Sequence, residues 1–501
     1  MRTHPAPHRS QLVALSVFFL FFFLPGCAIL KPDARPSDPL QALRYDITQI
    51  LSDSIFVPSQ ASIKVVSLDT KEVLFEHNSK LLMRPASNMK LLTSSSALGI
   101  LGLQHQFKTV VYAELNEENR SVCGKLYLKG FGDPDLTPAD LDSLAAQVQK
   151  QGLTAVCHSI VADVSYHDDL YWGYGWNWDD EPFSYAAFIS PLSVNDNCVN
   201  ITVSPADSAG KPVLITSTPQ TSYITVQNSA TTTSDSATRP LRITRLYKER
   251  LNTIIVEGQL MRGDGPVQRK LSVWKPELYA ATLLQEALQR RGIFVAGKPQ
   301  VGATSASARE LASLSRNIVP VLTNLNKISD NLSAEMFLKT ISAEVDKAPG
   351  SSEGGVYAIH RFLSTFGIDT TRYQLADGSG LSFYNLITTE MIIQLLQGMT
   401  RNQKFFPAFV ESLPVAGVDG TLRSRMRQTP AQGNLRAKTG TINGVSTLSG
   451  YVTTLDGEKL AFSMAMQNFT WPTRLYTRAQ DKIGALLAGF SRQGRAASAR
   501  P

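Results

Sequence analysis

The chain has few residues that could hold a metal or close a disulfide: four cysteines and seven histidines among 501 residues. No cysteine pair has zinc-site spacing, and the histidines form no ligand motif. Besides Cys27, the cysteines are Cys123, Cys157 and Cys198, which permit at most one disulfide among them, and the sequence does not choose the pair. We therefore expect no metal and no other cofactor.

The apolar run from Leu12 to Leu24 is too short for a comfortable membrane span, which needs ~20 residues. It follows the basic residues Arg2 and Arg9, and this order is typical of a signal peptide, which we place at residues 1–27. Residues 28–37, with their prolines, predict an extended linker.

The signal ends in Leu24-Pro25-Gly26-Cys27, which resembles a bacterial lipoprotein box in which the cysteine is lipidated. Ala28 after Cys27 is not the aspartate that retains lipoproteins in the inner membrane. In a Gram-negative host this predicts a periplasmic protein anchored to the outer membrane through Cys27. The alternative is ordinary signal cleavage nearby, with Cys27 unmodified.

The formal charge of +7 is small and dispersed, and nothing in its distribution favours a nucleic-acid partner. Part of it lies in a tail rich in Ala, Ser and Gly, residues 491–501, which we expect to be flexible. A hydrophobic content of 43% and a charged content of 18% are ordinary for a globular protein.

Three short strings occur in one order: Ser87-Asn88-Met89-Lys90, Ser329-Asp330-Asn331 and Lys438-Thr439-Gly440. Each alone is weak evidence, but the combination is the signature of serine acyl transfer with a lysine in place of the usual histidine. Together they predict a catalytic site.

The first string lies in an apolar run from Ser87 to Leu101, after Pro85, which predicts a buried helix with Ser87 in its first turn. Residues three apart share a helix face, so Lys90 is expected beside the Ser87 hydroxyl. Burial and a second cation, Lys438, would lower the pKa of Lys90 enough for it to act as a base. Alone, the string would fit a capping serine and a solvated lysine.

The spacing of the strings indicates the domain organisation. A hairpin is predicted within Ala61 to Phe75. Strand-like runs, Thr253 to Glu257 among them, dominate between the first and second strings, and helices return from Tyr279 onward. We expect an α/β catalytic domain formed by residues 38–107 and 303–490. A mainly β insertion of one or two domains, residues 108–302, would split it.

Further motifs support a family resemblance. They are Gly130-Phe131-Gly132-Asp133-Pro134-Asp135-Leu136, Gly175-Trp176-Asn177-Trp178-Asp179-Asp180, Leu192-Ser193-Val194-Asn195-Asp196-Asn197, Asp377-Gly378-Ser379-Gly380-Leu381-Ser382 and the run from Leu413 to Leu422. With the three strings, they make the mature chain similar to the DacB-type D-alanyl-D-alanine carboxypeptidases/endopeptidases, the low-molecular-mass class C penicillin-binding proteins. The resemblance implies a transpeptidase-like domain of the penicillin-binding-protein and β-lactamase type, with peptidoglycan stem peptides and cross-links as substrates and β-lactams as acylating inhibitors.

Roles for the string residues follow as hypotheses. Ser87 attacks the peptide carbonyl, Lys90 is the base and Ser329 passes a proton to the leaving amine. Asn331 offers its amide to the substrate backbone, whereas Asp330 is structural.

The third string is expected to bind the substrate's carboxylate end. Lys438 and Thr439 would hold the terminal carboxylate, and Gly440 would allow the substrate strand a close approach. The backbone N–H groups of Ser87 and Thr441 are the predicted oxyanion hole.

The insertion offers a second set of candidates, Trp176, Trp178, Asp180 and Tyr185, which combine aromatic faces with a carboxylate. Such a set suits a stem-peptide side chain with an apolar stem and an amine. The alternative is that these aromatics form the core of the β insertion.

Three other functions compete with a carboxypeptidase. A β-lactamase shares the strings, but no Glu-x-x-x-Asn deacylation motif lies between the first and third. A non-catalytic wall-binding protein is disfavoured because all three strings are intact. A Ser-His-Asp esterase would need a nucleophile elbow of the form Gly-x-Ser-x-Gly, which we do not expect in this chain, and Gly378-Ser379-Gly380 is more simply interpreted as a turn.

Overall fold

The computed structural model describes residues 34–116, 121–235 and 239–494. The predicted signal peptide, Cys27 and most of the predicted linker and tail lie outside these residues. In the described ranges, no helix is long and apolar enough to cross a membrane.

Strands occur in two parts of the described chain, between residues 60 and 317 and between residues 436 and 467. They are β1 Gln60–Ser67, β2 Val73–His77, β3 Gln106–Leu115, β4 Val122–Gly130, β5 Ala155–Val156, β6 Ile160–Asp163, β7 Cys198–Ser204, β8 Leu214–Thr218, β9 Thr225–Asn228, β10 Thr231–Thr233, β11 Arg242–Arg245, β12 Thr253–Glu257, β13 Gln259–Met261, β14 Val267–Ser272, β15 Phe294–Val295, β16 Gln300–Val301, β17 Arg309–Asn317, β18 Arg436–Ile442, β19 Val445–Thr453 and β20 Lys459–Gln467.

The helices concentrate in the second half of the chain. They are α1 Pro39–Leu51, α2 Met89–Leu101, α3 Pro138–Lys150, α4 Pro276–Arg290, α5 Ile318–Asn324, α6 Asn331–Asp346, α7 Ser352–Ser364, α8 Thr389–Thr400, α9 Phe406–Ser412 and α10 Thr473–Ala488.

A five-stranded antiparallel sheet carries the predicted catalytic segments, with strand order β18-β19-β20-β1-β2. Alternate residues of its strands point to opposite faces. In β20, Leu460 and Phe462 face a core shared with α1 and α10, whereas Ala461 faces a core shared with α2, α6 and α8. The sheet is therefore covered on both faces, and its central strands are almost completely buried.

The segment between α2 and α5 builds its own core, which runs from Val111 to Ala312. Its largest sheet has seven strands, with β15-β5-β4-β3-β17 in one row and β6 and β16 attached through β4. Three smaller sheets of two or three strands accompany it. Because β17 pairs with β3, this sheet extends past the predicted boundary at residue 302 to Asn317.

Most predicted elements occur at their expected positions. The hairpin within Ala61 to Phe75 is the antiparallel pair β1–β2, and the strand predicted at Thr253 to Glu257 has those bounds. Helices α1 and α3 were not predicted. For α3 the signal was readable, since Thr137 and Asp140 form a reciprocal capping box.

All three cysteines of the described residues are free: Cys123 and Cys198 are buried, and Cys157 is exposed.

At the start of the predicted tail, Arg492 forms ion pairs with Glu72 and Glu458. These contacts tie the residues after α10 to the edge of the five-stranded sheet.

Candidate active site

Ser87 lies in a 3₁₀ turn, Ala86–Asn88, immediately before α2 rather than inside its first turn. Two residues of β19 fix this turn. The Thr447 hydroxyl donates to the Pro85 carbonyl at 2.9 Å, and the Asn88 side chain donates to Ser449 Oγ at 2.6 Å. Ala86 has a φ of 46°, a left-handed conformation that a non-glycine residue adopts only when its surroundings enforce it. Ser87 remains partly exposed, so a substrate can reach it.

The Lys90 amine is completely buried and donates three hydrogen bonds. Its acceptors are Ser87 Oγ at 2.9 Å, Asn331 Oδ1 at 2.6 Å and the Ser379 carbonyl at 2.7 Å. Burial lowers the pKa of Lys90 to about 8, although the nearby carboxylates of Asp330, Asp377 and Glu335 oppose this shift. A substantial fraction of Lys90 is therefore neutral near pH 8 and able to take a proton from Ser87.

The second string lies where a π-helical turn, Leu325–Ser329, meets α6. Ser329 has a φ of 65°, and Asp330 caps α6 by accepting from the Ser333 N–H at 2.6 Å. Asn331, the first residue of α6, is thereby fixed beside Lys90. Its Oδ1 accepts from Lys90, and its Nδ2 donates to the Tyr185 carbonyl of the inserted segment at 2.7 Å.

The third string lies on β18, the edge strand beside Ser87. Lys438 is fully buried and donates to Ser329 Oγ at 2.8 Å and to the Thr439 carbonyl at 2.8 Å. Burial, and next the like charge of Lys90, hold the pKa of Lys438 well below its ordinary value. The Thr439 hydroxyl donates to Thr421 Oγ1 at 2.7 Å.

Gly440 is a position where only glycine fits. A Cβ there would lie 2.2 Å from Thr447 Oγ1 and 2.9 Å from the Ser87 backbone nitrogen. The strand therefore runs directly against the Ser87 turn, with the exposed Thr441 next along it. The predicted oxyanion hole of the Ser87 and Thr441 N–H groups requires β18 to lie close to the Ser87 turn in this way.

The candidates of the insertion lie next to this centre. The Tyr185 hydroxyl donates to Asp180 Oδ1 at 2.6 Å, and the Trp176 indole donates to Asp377 Oδ2 at 3.1 Å. Trp178 and Tyr185 are exposed rather than packed in a core. The structure thus brings Trp176, Asp180 and Tyr185 against the catalytic segments through Asn331 and Asp377.

Four further residues complete the site, and none of them was predicted from the sequence to take part in it. The Ser379 carbonyl accepts from Lys90, Glu335 accepts from the Ser379 N–H and Asp377 accepts from the Gly380 N–H. Thr421 accepts from the Thr439 hydroxyl. Three of them lie in motifs already noted, 377–382 and 413–422. Glu335, on α6, carried no sequence signal.

The segment Gly350-Ser351-Ser352-Glu353-Gly354 does match the nucleophile-elbow pattern. Its central serine, Ser352, begins α7, and its buried Oγ has no hydrogen-bond partner within the described ranges. It therefore lacks the adjacent base that such a nucleophile needs.

No group of three or more metal-ligating side chains occurs among the described residues.

Solved structures of known proteins share this architecture. Penicillin binding protein 4 (dacB) from Haemophilus influenzae superposes with a TM-score of 0.79 at 26% identity, covering 89% of this chain and 99% of that chain. The same protein complexed with a novel β-lactam gives a TM-score of 0.73 at 26% identity, with the same coverage. The fold is that of a penicillin-binding protein, as predicted.

Sequence comparison identifies the family. A D-alanyl-D-alanine carboxypeptidase of Actinomadura sp. (strain R39) is 36% identical over 467 residues, which cover 90% of this chain and 85% of the relative. D-alanyl-D-alanine carboxypeptidase DacB of H. influenzae is 29% identical, covering 85% and 88%. Residues 43–488 match the D-Ala-D-Ala carboxypeptidase 3 (S13) family, and the chain belongs to that family of serine peptidases. The predicted family and enzyme class are confirmed.

The two buried lysines generate a pH prediction. Because like charges disfavour each other's ammonium form, replacing Lys438 with methionine should raise the pKa of Lys90. The acidic limb of the pH–rate profile, where acylation slows as Lys90 becomes protonated, should then move to higher pH. Carboxylate-bearing substrates should also bind more weakly. The measurement is the pH series of acylation kcat/KM, in which a shift of one unit corresponds to ~1.4 kcal/mol.

Lys482→Met, at an exposed lysine of α10, is the matched control and should keep the wild-type profile. If Lys438→Met loses affinity for carboxylates but retains the wild-type acidic limb, Lys438 does not tune Lys90.

Proposed function

We propose that Ser87 is the nucleophile of a D-Ala-D-Ala carboxypeptidase/endopeptidase that acts on peptidoglycan stem peptides and cross-links through an acyl-enzyme. The observation that carries this proposal is the buried Lys90 amine, 2.9 Å from Ser87 Oγ and with its pKa lowered to about 8. The catalytic groups all come from residues 38–107 and 303–490. We propose that these segments, apart from β17, which pairs with β3 of the insertion, form one catalytic domain split by the insertion.

In the acylation step, neutral Lys90 accepts the Ser87 hydroxyl proton while Oγ attacks the carbonyl carbon of the scissile amide. Negative charge develops on the carbonyl oxygen, and the N–H groups of Ser87 and Thr441 stabilise it. A single oxyanion donor is typically worth ~3 kcal/mol in the barrier.

Ser329 gives its hydroxyl proton to the departing amine and is reprotonated with the proton that Lys90 took from Ser87, while Lys438, hydrogen-bonded to Ser329 Oγ, holds that hydroxyl in place. The terminal D-Ala, or the amine side of a cross-link, leaves, and water then releases the acyl chain. A cross-linked donor needs only a longer leaving group, so one centre serves both reactions.

The free carboxylate of the leaving D-Ala fits the edge formed by Lys438, Thr439 and Thr421. A carboxylate placed there would also supply the negative charge that favours the ammonium form of Lys438. β-Lactams carry a carboxylate next to a strained amide, so they fit the same groups and should acylate Ser87.

A labelled penicillin tests the nucleophile and the base. Wild type should form a stable adduct located on Ser87 by peptide mass mapping, and Ser87→Ala should form none. Lys90→Ala should slow acylation by about 10²- to 10⁴-fold, the usual contribution of a general base.

Ser352→Ala, at the serine of the elbow-like segment, is the control and should label normally. Rapid turnover of the label by wild type would indicate a β-lactamase, and no adduct at all would favour a non-catalytic wall-binding protein. A near-normal rate in Lys90→Ala would exclude Lys90 as the base.

We further propose that Asp180, Trp176 and Tyr185 form the subsite for the stem-peptide side chain. The Tyr185 hydroxyl donates to Asp180, and the Asn331 side-chain amide donates to the Tyr185 carbonyl. A side chain bound at Asp180 would therefore lie beside the amide of Asn331. An amine at the end of an apolar stem matches a carboxylate among aromatic faces.

Asp180→Ala should raise KM for diaminopimelate-containing peptides and leave that for plain D-Ala-D-Ala peptides unchanged, because only the former carry the side-chain amine. Steady-state kinetics on the two substrates measures the difference. Asp179→Ala, at the exposed neighbour, is the control. Equal kinetics of Asp180→Ala and wild type on both substrates would reject the subsite.

We propose that the enzyme works in the periplasm, anchored to the outer membrane through a lipid on Cys27. The support is the sequence alone: an apolar signal core, a lipobox-like end and no aspartate at position 28.

Cys27→Ser should leave the protein unprocessed or release it from the membrane fraction, because the acceptor of the lipid is lost. Cell fractionation with mass spectrometry of the mature N-terminus is the measurement. Cys157→Ser, at an exposed free cysteine, should fractionate as wild type does. Wild type found entirely unmodified in the soluble fraction would remove the anchor.

A further inference from the structure

The third acceptor of the Lys90 amine belongs to none of the three strings. It is the Ser379 carbonyl, 2.7 Å from Nζ, in the loop of residues 377–382, here named the lysine-holding loop. A backbone carbonyl can orient an amine only if the loop that carries it is itself fixed.

Two buried carboxylates fix this loop by accepting from its backbone. Glu335 accepts from the Gly378 N–H at 3.0 Å and the Ser379 N–H at 2.8 Å. Asp377 accepts from the Gly380 N–H at 2.8 Å and the Ser382 N–H at 2.7 Å. Both carboxylates are fully buried, and buried charges that accept several N–H bonds are strong, geometrically specific anchors.

The loop also touches the nucleophile turn. Gly380 has a φ of 84°, and a Cβ there would lie 1.7 Å from the Ala86 carbonyl, one residue before Ser87. The same loop therefore contacts both the turn that carries the hydroxyl and the amine that must receive its proton. The Trp176 indole adds a contact from the insertion to Asp377.

We propose that Glu335 and Asp377 are positioning residues for acylation: they hold the lysine-holding loop so that the Ser379 carbonyl aims the Lys90 amine at Ser87 Oγ, and the Glu335 carboxylate biases the protonation state of that amine. This proposal rests on the proposed roles of Ser87 and Lys90. It adds residues on α6 and the loop to a site otherwise defined by the three strings.

The charges around Lys90 affect the protonation state of its amine. Asp330, Asp377 and Glu335 face the amine with negative charge, whereas Lys438, whose own pKa is held well below its ordinary value, opposes the ammonium form of Lys90 only when it is itself protonated. Burial, and next the neighbouring Asp377, raise the pKa of Glu335 to about 7, so Glu335 becomes charged just below the range in which Lys90 titrates. Its charge then favours the ammonium form of Lys90.

Glu335→Gln tests this directly, because the amide oxygen can still accept from the loop while the charge is removed. Loss of a negative charge should lower the pKa of Lys90, so the acidic limb of penicillin acylation should move to lower pH. This shift is opposite to that expected for Lys438→Met. A purely structural role would change the rate without moving the limb.

Glu335→Ala removes the anchor as well as the charge and should slow acylation by about 10²-fold at pH values above the acidic limb, the scale expected when reacting groups are misplaced by ~1 Å. Recovery of much of that rate in Glu335→Gln would show that the acceptor positions the loop. Asp481→Asn is the control: it removes a half-buried carboxylate on α10 that pairs with Arg425, and it should leave the acylation rate and the acidic limb unchanged.

A folded Glu335→Gln protein with the wild-type acidic limb, or a limb moved to higher pH, would overturn the proposed bias. Wild-type rates in both Glu335 variants would overturn the positioning role. These outcomes differ from failure of the proposed function itself, in which the wild-type protein would form no Ser87 adduct.

Discussion

The site depends on one constraint, the burial of the Lys90 amine beside Ser87 Oγ. A buried ammonium is costly unless acceptors surround it, and burial is also what lowers its pKa toward the useful range. The three acceptors come from three separate places in the chain: the turn before α2, the start of α6 and the lysine-holding loop. The fold must bring these together before the chemistry is possible.

Much of the surrounding structure can be understood as support for that convergence. The five-stranded sheet sets Gly440 against the Ser87 turn, and β19 holds the same turn through Thr447. The insertion contributes to the same network, since its Tyr185 carbonyl accepts from Asn331 and its Trp176 donates to Asp377. The proposed subsite of the insertion and the groups that orient Lys90 therefore share the partners Asn331 and Asp377.

The sequence predicted the parts of the site that are local in the chain. The spacing of Ser87 and Lys90 on one face, the strand at Thr253 to Glu257 and the hairpin β1–β2 all follow from short-range periodicity. The mainly β character of the segment after α2 was equally readable.

What could not be predicted depends on distant pairing. Glu335 reads as an ordinary helix residue because nothing in α6 shows that its carboxylate meets the backbone of Gly378. Likewise, β17 joins β3 across some two hundred residues, so the sheet extends past the boundary drawn at residue 302. Ser87 lies in a 3₁₀ turn because strand and loop contacts strain the Ala86 backbone, and such strain leaves no periodic signal.

The most direct test of this account is the ionisation of Lys90 itself, followed by NMR of isotopically labelled lysine side chains over a pH series. The signal absent from Lys90→Ala should titrate with a pKa of about 8 in the free enzyme. A Lys90 that titrates near the ordinary lysine value of 10.5 would contradict the account, because the amine would then be protonated at neutral pH and unable to activate Ser87.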